Sequence, residues 1–325
     1  MTKHHYFNVL HNIASDFHSR ISGSRELKPA NSPNSSQVFK IDQPEWDRIL
    51  AMKVFNETCS EEPDRYVNRD ILHAEIFHLD TKKELNINEW LDDYLIRLPA
   101  LKNFIDGPGL ITLGHHANSK DASPVFWSAT EWLDESADVI KPEEMANLLL
   151  NQHKFTFNGI RVNLQAEAPY WSWKKWTDAL LGMLKDHPIC ANKQAQNAVL
   201  ILKQLAKKSM PTTATITHGD IHPNNLKKRN NTFLLFDWEE LAIAPSERDI
   251  GIMIERYIYA SEGFPNIQKT LFLYQQGKKL CEHAIVFYAF LAKFKRSMQK
   301  GLNFPDNQFL TEVNLVIHSR EHSII

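Results

Sequence analysis

A short polar stretch of this chain holds two carboxylates and an amide at a spacing that suits metal-assisted chemistry. Asn225 lies five residues after Asp220, and Asp237 follows in the next apolar segment. Mg²⁺ prefers oxygen ligands, so Asn225 can supply a neutral ligand and Asp237 an anionic one. Asp220 is then placed to act as a base or to orient a hydroxyl group. The combination predicts phosphoryl transfer, which needs positioned reactants, cations at the phosphate oxygens and a base near the attacking hydroxyl.

Two predicted strands position these residues. Apolar runs at Ala214 to Ile216 and at Phe233 to Phe236 flank the polar stretch, so we expect it to form a loop between strands. Within this loop His218 is expected to brace the backbone by hydrogen bonding, and Gly219 to let the backbone turn. The sequence therefore predicts a catalytic loop followed by a hairpin that carries Asp237.

A second set of candidate residues lies more than a hundred residues upstream. The segment Arg48 to Phe55 is predicted to be a strand, and alternation puts Ala51 and Lys53 on the same face. Lys53 is interpreted as a phosphate-binding lysine, with Ala51 leaving room for a flat base; the alternative is an edge-strand lysine that points to water. Glu75, near the middle of the predicted helix Asn68 to Leu79, is either the carboxylate partner of Lys53 or a solvated helix residue.

The order of predicted elements indicates an α+β fold with two lobes. The first lobe is predicted to contain one helix, a turn from Pro29 to Asn34 and the five strands of a small antiparallel sheet: Glu26 to Lys28, Ser35 to Ile41, Arg48 to Phe55, Leu110 to His115 and Val125 to Leu133. We predict a nucleotide-binding lobe at residues 1–134. A larger, mostly helical lobe at residues 135–325 would hold the catalytic loop, the metal hairpin and the acceptor site.

Apolar periodicity in the second lobe predicts helices that begin at Pro142 and Tyr170, and further helices at Gln194 to Lys207, Arg248 to Ala260, Leu271 to Phe290 and Gln308 to His318. Ala284 to Phe294 is apolar on most sides and is predicted to be buried. Trp171, Trp173 and Trp176 are interpreted as helix-packing residues, with a substrate wall as the alternative. The cluster Lys293 to Arg296 is interpreted as a solvated helix end.

The overall composition argues against several classes of protein. The chain of 325 residues has a formal net charge of −2 and no dominant basic stripe, so no nucleic-acid partner is expected. There is no N-terminal apolar signal core and no stretch of transmembrane length, so no membrane partner is expected. Cys59, Cys190 and Cys281 are widely separated and odd in number, which favours a reducing cytoplasm over a disulfide framework. The sequence does not predict the oligomeric state.

The polar loop supports two other interpretations. His218, Asp220 and His222 alternate like metal ligands, and a hydrolytic Zn²⁺ site could use them. That site would need further ligands elsewhere, and it would leave Asn225 and Asp237 without a role. In the other interpretation these polar residues only cap and turn a loop, which does not explain two spaced carboxylates on successive segments.

The chain also resembles the aminoglycoside phosphotransferase and choline kinase-like family. The family pattern His-Gly-Asp-x-x-x-x-Asn is matched from His218 to Asn225, and its metal-binding Asp-Trp/Phe element by Asp237 and Trp238. The run Ala244 to Asp249 looks like the Ala-Pro-x-Glu-Arg-Asp run of the spectinomycin-type branch, and His153 fits the family's Leu-x-x-Leu-His helix end. The resemblance implies a protein-kinase-like fold and an ATP- and Mg²⁺-dependent kinase, with GTP as the alternative nucleotide.

Several roles follow from the resemblance alone. It implies that Lys53 pairs with Glu75 and that the residue at Asp249 braces the catalytic loop. The glycine that is usual in the loop covering the nucleotide is absent here, so Ser35 or Ser36 and backbone N–H groups would make those contacts. The missing glycine is also the one feature that supports a non-enzymatic alternative, a kinase-like protein that binds nucleotide without turnover.

The resemblance further implies that adenine binds to the backbone from Glu131 through Trp132 to Leu133. The acceptor would be a small molecule with a hydroxyl group, of the aminoglycoside, aminocyclitol or amino-alcohol type. Four acidic residues that follow the catalytic loop could line an anionic pocket for a cationic amine, or lie on the surface: Glu239, Glu240, Glu255 and Glu262.

Overall fold

The computed structural model describes eleven stretches of the chain: residues 29–30, 36–42, 49–55, 110–116, 125–133, 139–154, 156–157, 173–211, 214–229, 232–236 and 242–318. The described residues up to Leu133 belong to one compact unit, and those from Val139 onward belong to a second. In both units the buried apolar residues follow the strand or helix spacing that the sequence shows.

The first unit is built around an antiparallel sheet. Its five described strands are β1 (Pro29–Ala30), β2 (Ser36–Ile41), β3 (Leu50–Phe55), β4 (Leu110–His116) and β5 (Val125–Glu131), in the spatial order β1-β2-β3-β5-β4. Leu50 and Met52 of β3 are fully buried, whereas Ala51 between them is only partly buried. This alternation is the period expected for a strand with one face on a core.

The edge strand β1 corrects the predicted turn at Pro29 to Asn34. Pro29 pairs with Phe39 and Ala30 with Val38, so the strand includes the proline that the prediction placed in a turn. Proline has no N–H to donate, and an edge position tolerates this: among the described strands, one side of β1 has no neighbour. The strand predicted at Glu26 to Lys28 lies outside the described residues.

The second unit is mainly helical. Its described helices are α1 (Pro142–Gln152), α2 (Trp173–Asp186), α3 (Lys193–Lys208), α4 (Glu247–Tyr259), α5 (Ile267–Gly277), α6 (Glu282–Lys300) and α7 (Asn307–His318). Its described strands are β6 (Thr156–Phe157), β7 (Ala214–Thr217), β8 (Leu226–Arg229), β9 (Thr232–Leu235) and β10 (Ala242–Ala244). A three-stranded sheet has the order β10-β7-β6, and β8 pairs with β9 in a hairpin. These elements confirm the predicted α+β class.

Helix α6 forms the core of the second unit. Residues from Ala284 to Leu291, together with Phe294, are buried, as the apolar run predicted. Trp176 of α2 stacks on Tyr288 with 5.6 Å between ring centroids, and Trp173 meets Phe287 edge to face at 5.2 Å. These contacts confirm the packing role of Trp173 and Trp176, whereas Trp171 lies outside the described residues.

Helix α4 crosses α6 at very short range. A Cβ atom added at Gly251 would lie 2.6 Å from the carbonyl oxygen of Ile285 and 2.7 Å from the nitrogen of Ala289. Only glycine lets the two backbones approach this closely.

The same pair of helices is joined by Glu255 and Arg296, both buried, through two hydrogen bonds of 2.7 and 2.6 Å. Arg296 is therefore not part of a solvated helix end, and that prediction is wrong for this residue.

The predicted helix from Leu271 to Phe290 is wrong, because the chain forms two helices there. Helix α5 ends at Gly277, and Lys278 adopts an extended conformation with φ −150° and ψ 125°. Cys281 precedes α6, and its backbone N–H donates to the Oε1 atom of Glu247 at 2.8 Å. A buried carboxylate on α4 thus fixes the start of α6.

Among the described helices, none combines the length and apolar character that a membrane crossing requires.

Candidate active site

The loop that follows β7 carries the predicted catalytic residues. After Thr217 the backbone turns at Gly219, whose φ of 86° lies in the left-handed region that favours glycine. A short 3₁₀ turn at Pro223–Asn225 then leads into β8. The N–H of Phe236, just after β9, donates to the carbonyl of Asn225 at 2.9 Å, so the hairpin end is fixed to the loop.

Asp249, in the first turn of α4, holds the start of this loop. Its Oδ2 atom accepts a hydrogen bond from the N–H of His218 at 2.9 Å, and its Oδ1 atom accepts one from the N–H of Gly219 at 2.7 Å. Oδ2 is also bound by Nε2 of Gln152 at 2.8 Å and by Nε2 of His153 at 2.9 Å. Burial alone would raise the pKa of Asp249, but the hydrogen bond from His153 and nearby basic groups hold that pKa below its usual value.

The hydrogen-bond network extends from Asp249 to α5 through His153. Nε2 of His153 lies 2.9 Å from Oδ2 of Asp249, and Nδ1 lies 2.8 Å from the hydroxyl oxygen of Tyr274. Burial raises the pKa of Tyr274, so this hydroxyl stays protonated. The predicted brace at Asp249 is thus itself supported by the ends of α1 and α5.

His218 is buried and both of its ring nitrogens are engaged. Nε2 donates to the carbonyl of Phe236 at 2.6 Å, and Nδ1 accepts from the N–H of Asp220 at 3.2 Å. The ring therefore ties the start of the loop to the end of the hairpin. It has no nitrogen left for a metal ion in this arrangement, which argues against the zinc interpretation of His218, Asp220 and His222.

Asp220 is held from three directions. An Nη2 hydrogen of Arg256 on α4 bonds to its Oδ1 atom. Its Oδ2 atom lies 3.4 Å from Nε2 of His222 and accepts from Nδ2 of Asn225 at 3.2 Å. Burial alone would raise the pKa of Asp220, but the hydrogen bond with His222 and the charge of Arg256 hold that pKa well below its usual value. The side chain is 20% exposed, so an ionised carboxylate is accessible here.

Asn225 is oriented so that it could serve a hard cation. Its amide nitrogen donates to the backbone carbonyl of Asp220 at 2.9 Å as well as to the carboxylate, and none of the described residues donates to its amide oxygen. That oxygen is the ligand type that Mg²⁺ prefers. Asp237, the second predicted ligand, lies outside the described residues. No group of three or more His, Cys, Asp and Glu side chains that could hold a metal occurs in the described part of the chain.

The predicted nucleotide-binding residues belong to the first unit. The N–H of Trp132 donates to the carbonyl of Ile49 at 2.9 Å and is therefore used within the sheet. Because backbone groups alternate in direction along an antiparallel strand, Glu131 at the end of β5 directs its own away from β3. The predicted adenine contacts of Glu131, Trp132 and Leu133 stay predictions.

The remaining nucleotide-binding predictions are only partly described. Ala51 and Lys53 lie in β3, where Lys53 pairs with Val38 and Ser128. Ser36 begins β2 opposite Phe55, whereas the predicted residues Ser35 and Glu75 lie outside the described part of the chain. The predicted roles of these residues stay predictions.

Sequence reasoning missed one residue of the site and misplaced another. Arg256, the partner of Asp220, lies seven residues after Asp249, which is about two helical turns and places both on one face of α4. That spacing is the signal that could have identified Arg256. Conversely, Glu255 was a candidate for an anionic acceptor pocket, but its carboxylate is buried and bound to Arg296. Glu262 is exposed, and Glu239 and Glu240 lie outside the described residues.

Comparison with solved structures shows a kinase-like fold. The choline kinase LicA from Streptococcus pneumoniae superimposes with a TM-score of 0.51 at 16% sequence identity, covering 95% of this chain and 98% of that chain. The macrolide 2'-phosphotransferase MphH from Brachybacterium faecium gives a TM-score of 0.52 at 11% identity, covering 97% and 100%. The aminoglycoside phosphotransferase APH(4)-Ia, in a ternary complex with AMP-PNP and hygromycin B, gives 0.50 at 10% identity, covering 96% and 99%.

The fold and the loop together define a kinase-like phosphotransferase, and the sequence places the chain in a family. Residues 60–277, more than half of the chain, match the APH model, described as the phosphotransferase enzyme family. The chain belongs to this family. No curated protein matches the chain in sequence.

Proposed function

We propose that this protein is an ATP- and Mg²⁺-dependent kinase that transfers the γ-phosphate to a hydroxyl group of a small molecule. The observation that carries the proposal is the environment of Asp220. This carboxylate is ionised and partly exposed, and Arg256, His222 and Asn225 hold it at the end of a loop whose backbone Asp249 fixes. A carboxylate held in this way can accept a hydrogen bond from a hydroxyl group and aim its oxygen at a phosphorus atom.

In the proposed reaction the hydroxyl oxygen bonds to the γ-phosphorus while the bond from that phosphorus to the ADP oxygen breaks. The hydroxyl proton passes to Asp220 as the new bond forms, and from there to solvent. The products are ADP, the phosphate ester and a proton. Because its pKa is depressed, Asp220 is a weak base, and it contributes mainly by orienting the hydroxyl.

Asn225 and Asp237 would hold Mg²⁺, which when bound supplies positive charge to the phosphate oxygens. The amide oxygen of Asn225 supports this assignment, because the amide nitrogen is already committed to Asp220. Only the sequence pattern supports Asp237 as the second ligand. For the nucleotide, we propose that Lys53 with Glu75 binds the phosphates and that the backbone from Glu131 through Trp132 to Leu133 binds the base.

We propose an acceptor of the aminoglycoside, aminocyclitol or amino-alcohol type. The fold is shared with a choline kinase and with an aminoglycoside phosphotransferase solved with hygromycin B, which supports a small hydroxylated acceptor. The run Ala244 to Asp249 supports the spectinomycin-type branch within this class. Cys190 and Cys281 are free thiols, which is consistent with the cytoplasmic location that we also propose.

The test is ADP formation from ATP and Mg²⁺ against a panel of aminoglycosides, spectinomycin, amino-alcohols and sugars. We expect the Asp220→Asn variant to lose about 100-fold or more of the transfer rate with the best acceptor, as expected when a positioned proton acceptor is removed. The Michaelis constant for ATP should stay nearly unchanged, because the proposed contact of Asp220 is with the acceptor hydroxyl and not with ATP.

Asp178→Asn, an exposed substitution on α2, is the matched control and should transfer phosphate at the wild-type rate. Equal product from Asp220→Asn and the wild type would refute the role of Asp220. Binding of ATP without turnover on any acceptor, or a requirement for Zn²⁺, would refute the kinase proposal itself.

A further inference from the structure

Counting the lone pairs of Asp220 shows where a hydroxyl group can bind. The two oxygens of a carboxylate offer about four acceptor positions. Among the described residues, Arg256 donates to one position on Oδ1. Asn225 donates to Oδ2, and His222 lies close to the same oxygen. The position left is on Oδ1, beside the guanidinium group of Arg256. An incoming hydroxyl would therefore share Oδ1 with Arg256.

The position of Arg256 is fixed by the helix that carries it. Two turns earlier, Asp249 binds the backbone N–H groups of His218 and Gly219 at the start of the same loop. One residue earlier, Glu255 forms its buried bidentate pair with Arg296 on α6. Helix α4 thus contacts the catalytic loop twice, at the backbone through Asp249 and at the reactive side chain through Arg256.

Charge and exposure distinguish Arg256 from a structural arginine. Its side chain is 32% exposed, whereas Arg248 on the same helix is fully buried and donates to the hydroxyl of Thr217 at 3.1 Å. Both side chains of the Arg256–Asp220 pair are partly exposed, so solvent weakens what this ion pair contributes to stability. Its removal would leave Oδ1 of Asp220 without this donor.

We infer that Arg256 is a positioning residue: it fixes the rotamer of Asp220 so that one lone pair of Oδ1 faces the acceptor hydroxyl. Without the guanidinium group, Oδ1 loses its partner and the carboxylate can rotate about its Cα–Cβ bond, held only from the Oδ2 side. A small misplacement of a reacting group lowers the rate strongly while binding of the other substrate is unaffected. This inference rests on the proposed function.

The experiment measures ADP formation from ATP and Mg²⁺, with the best acceptor of the panel and with water alone as the acceptor. We expect Arg256→Ala to lower kcat about 100-fold and to change the Michaelis constant for ATP by less than about twofold. Millimolar guanidinium, far below denaturing concentrations, should restore at least about a tenth of the lost rate to Arg256→Ala. Guanidinium should not rescue Asp220→Asn, and Arg256→Lys should fall between the wild type and Arg256→Ala.

Lys269→Ala is the matched control, because it removes an exposed ion pair with Glu143 that has no part in the loop, and it should leave kcat unchanged. A wild-type kcat in Arg256→Ala, or a loss that guanidinium does not restore in a variant with the wild-type circular dichroism spectrum, would overturn the inference. If the wild-type enzyme forms no ADP with any acceptor, the proposed kinase function is refuted and the role of Arg256 is refuted with it.

Discussion

Asp249 shows how one buried side chain can hold a loop by its backbone. Its two oxygens accept hydrogen bonds from consecutive backbone N–H groups, those of His218 and Gly219, so both oxygens are needed. Nε2 of His153 and Nε2 of Gln152 supply further donors at 2.9 and 2.8 Å. A buried charge is stable only when it is paired and hydrogen-bonded in this way.

The first prediction concerns Asp249→Asn. An asparagine keeps one acceptor oxygen and turns its NH₂ group towards the other backbone N–H, so we expect the free energy of unfolding to fall by about 3 kcal/mol at pH 7. The folded-state pKa of Asp249 lies below its unfolded value of about 3.9. Its charge therefore stabilises the fold above about pH 4, and this contribution is lost as the pH falls through the folded pKa.

Urea unfolding at a series of pH values measures this effect. The difference between the wild type and Asp249→Asn should be constant from about pH 7 to pH 5 and should shrink below about pH 4. Asp306→Asn is the control: Asp306 accepts from the N–H groups of Gln308 and Phe309 at the start of α7, where asparagine serves equally well. A difference that does not depend on pH would contradict the assigned charge of Asp249.

Residue patterns predicted which residues lie together in the loop, but they did not predict the partners that come from other elements. The spacing of Asp220 and Asn225 identified a loop in which the structure does join the two side chains. The pair of Asp220 with Arg256 spans 36 residues and depends on how α4 lies against the loop, and the only sequence signal for it is the position of Arg256 two turns after Asp249. Glu255 was misassigned for the same reason, because its partner Arg296 lies on another helix.

At the scale of elements, two opposite faces of α4 contact different parts of the second unit. One face carries Asp249 and Arg256 to the catalytic loop, and the opposite one carries Gly251 and Glu255 to α6. The crossing at Gly251 leaves no room for a side chain, since the nearest α6 atoms belong to rigid backbone. The position of the loop therefore depends on how closely α4 approaches α6.

The second prediction is that Gly251→Ala lowers the free energy of unfolding by at least about 2 kcal/mol, because the methyl group overpacks a core crossing. Gly182→Ala is the matched control: Gly182 lies in α2, and a Cβ atom there would meet nothing within 4 Å. That control should gain about 0.5–1 kcal/mol from the higher helix propensity of alanine. Thermal and urea unfolding give both values, and equal effects of the two substitutions would refute the close crossing.

Element boundaries could be predicted where the chain itself encodes them. The bounds of α3 and α7 differ from the predicted ones by at most one residue at each end, because apolar periodicity governs both helices. The break between α5 and α6 was missed, since it depends on a hydrogen bond from Glu247 to the N–H of Cys281. The apolar periodicity on either side of that break looks like one continuous helix.

At the scale of the whole molecule, the proposed roles divide between the two compact units. The first unit contains β3 with Lys53 and the segment from Glu131 to Leu133, for which we propose nucleotide binding. The second contains Asp220 and its partners, for which we propose acceptor activation. We propose that the domain boundary predicted near residue 134 separates these two tasks. Substitutions in the two units should therefore have separable effects on ATP affinity and on transfer.

The last prediction tests this separation by thermal stability. ATP with Mg²⁺ at about 100 times its Kd should raise the free energy of unfolding of the wild type by about 2.7 kcal/mol. At the same concentration, Lys53→Ala should gain only about 0.4 kcal/mol if its Kd is raised about 100-fold, because half of the protein is then unliganded. Asp220→Asn should keep the full ATP effect while losing transfer.

Lys185→Ala, which changes an exposed lysine on α2, should behave as the wild type. Loss of the ATP effect in Asp220→Asn, or its retention in Lys53→Ala, would contradict the assignment of nucleotide binding to the first unit.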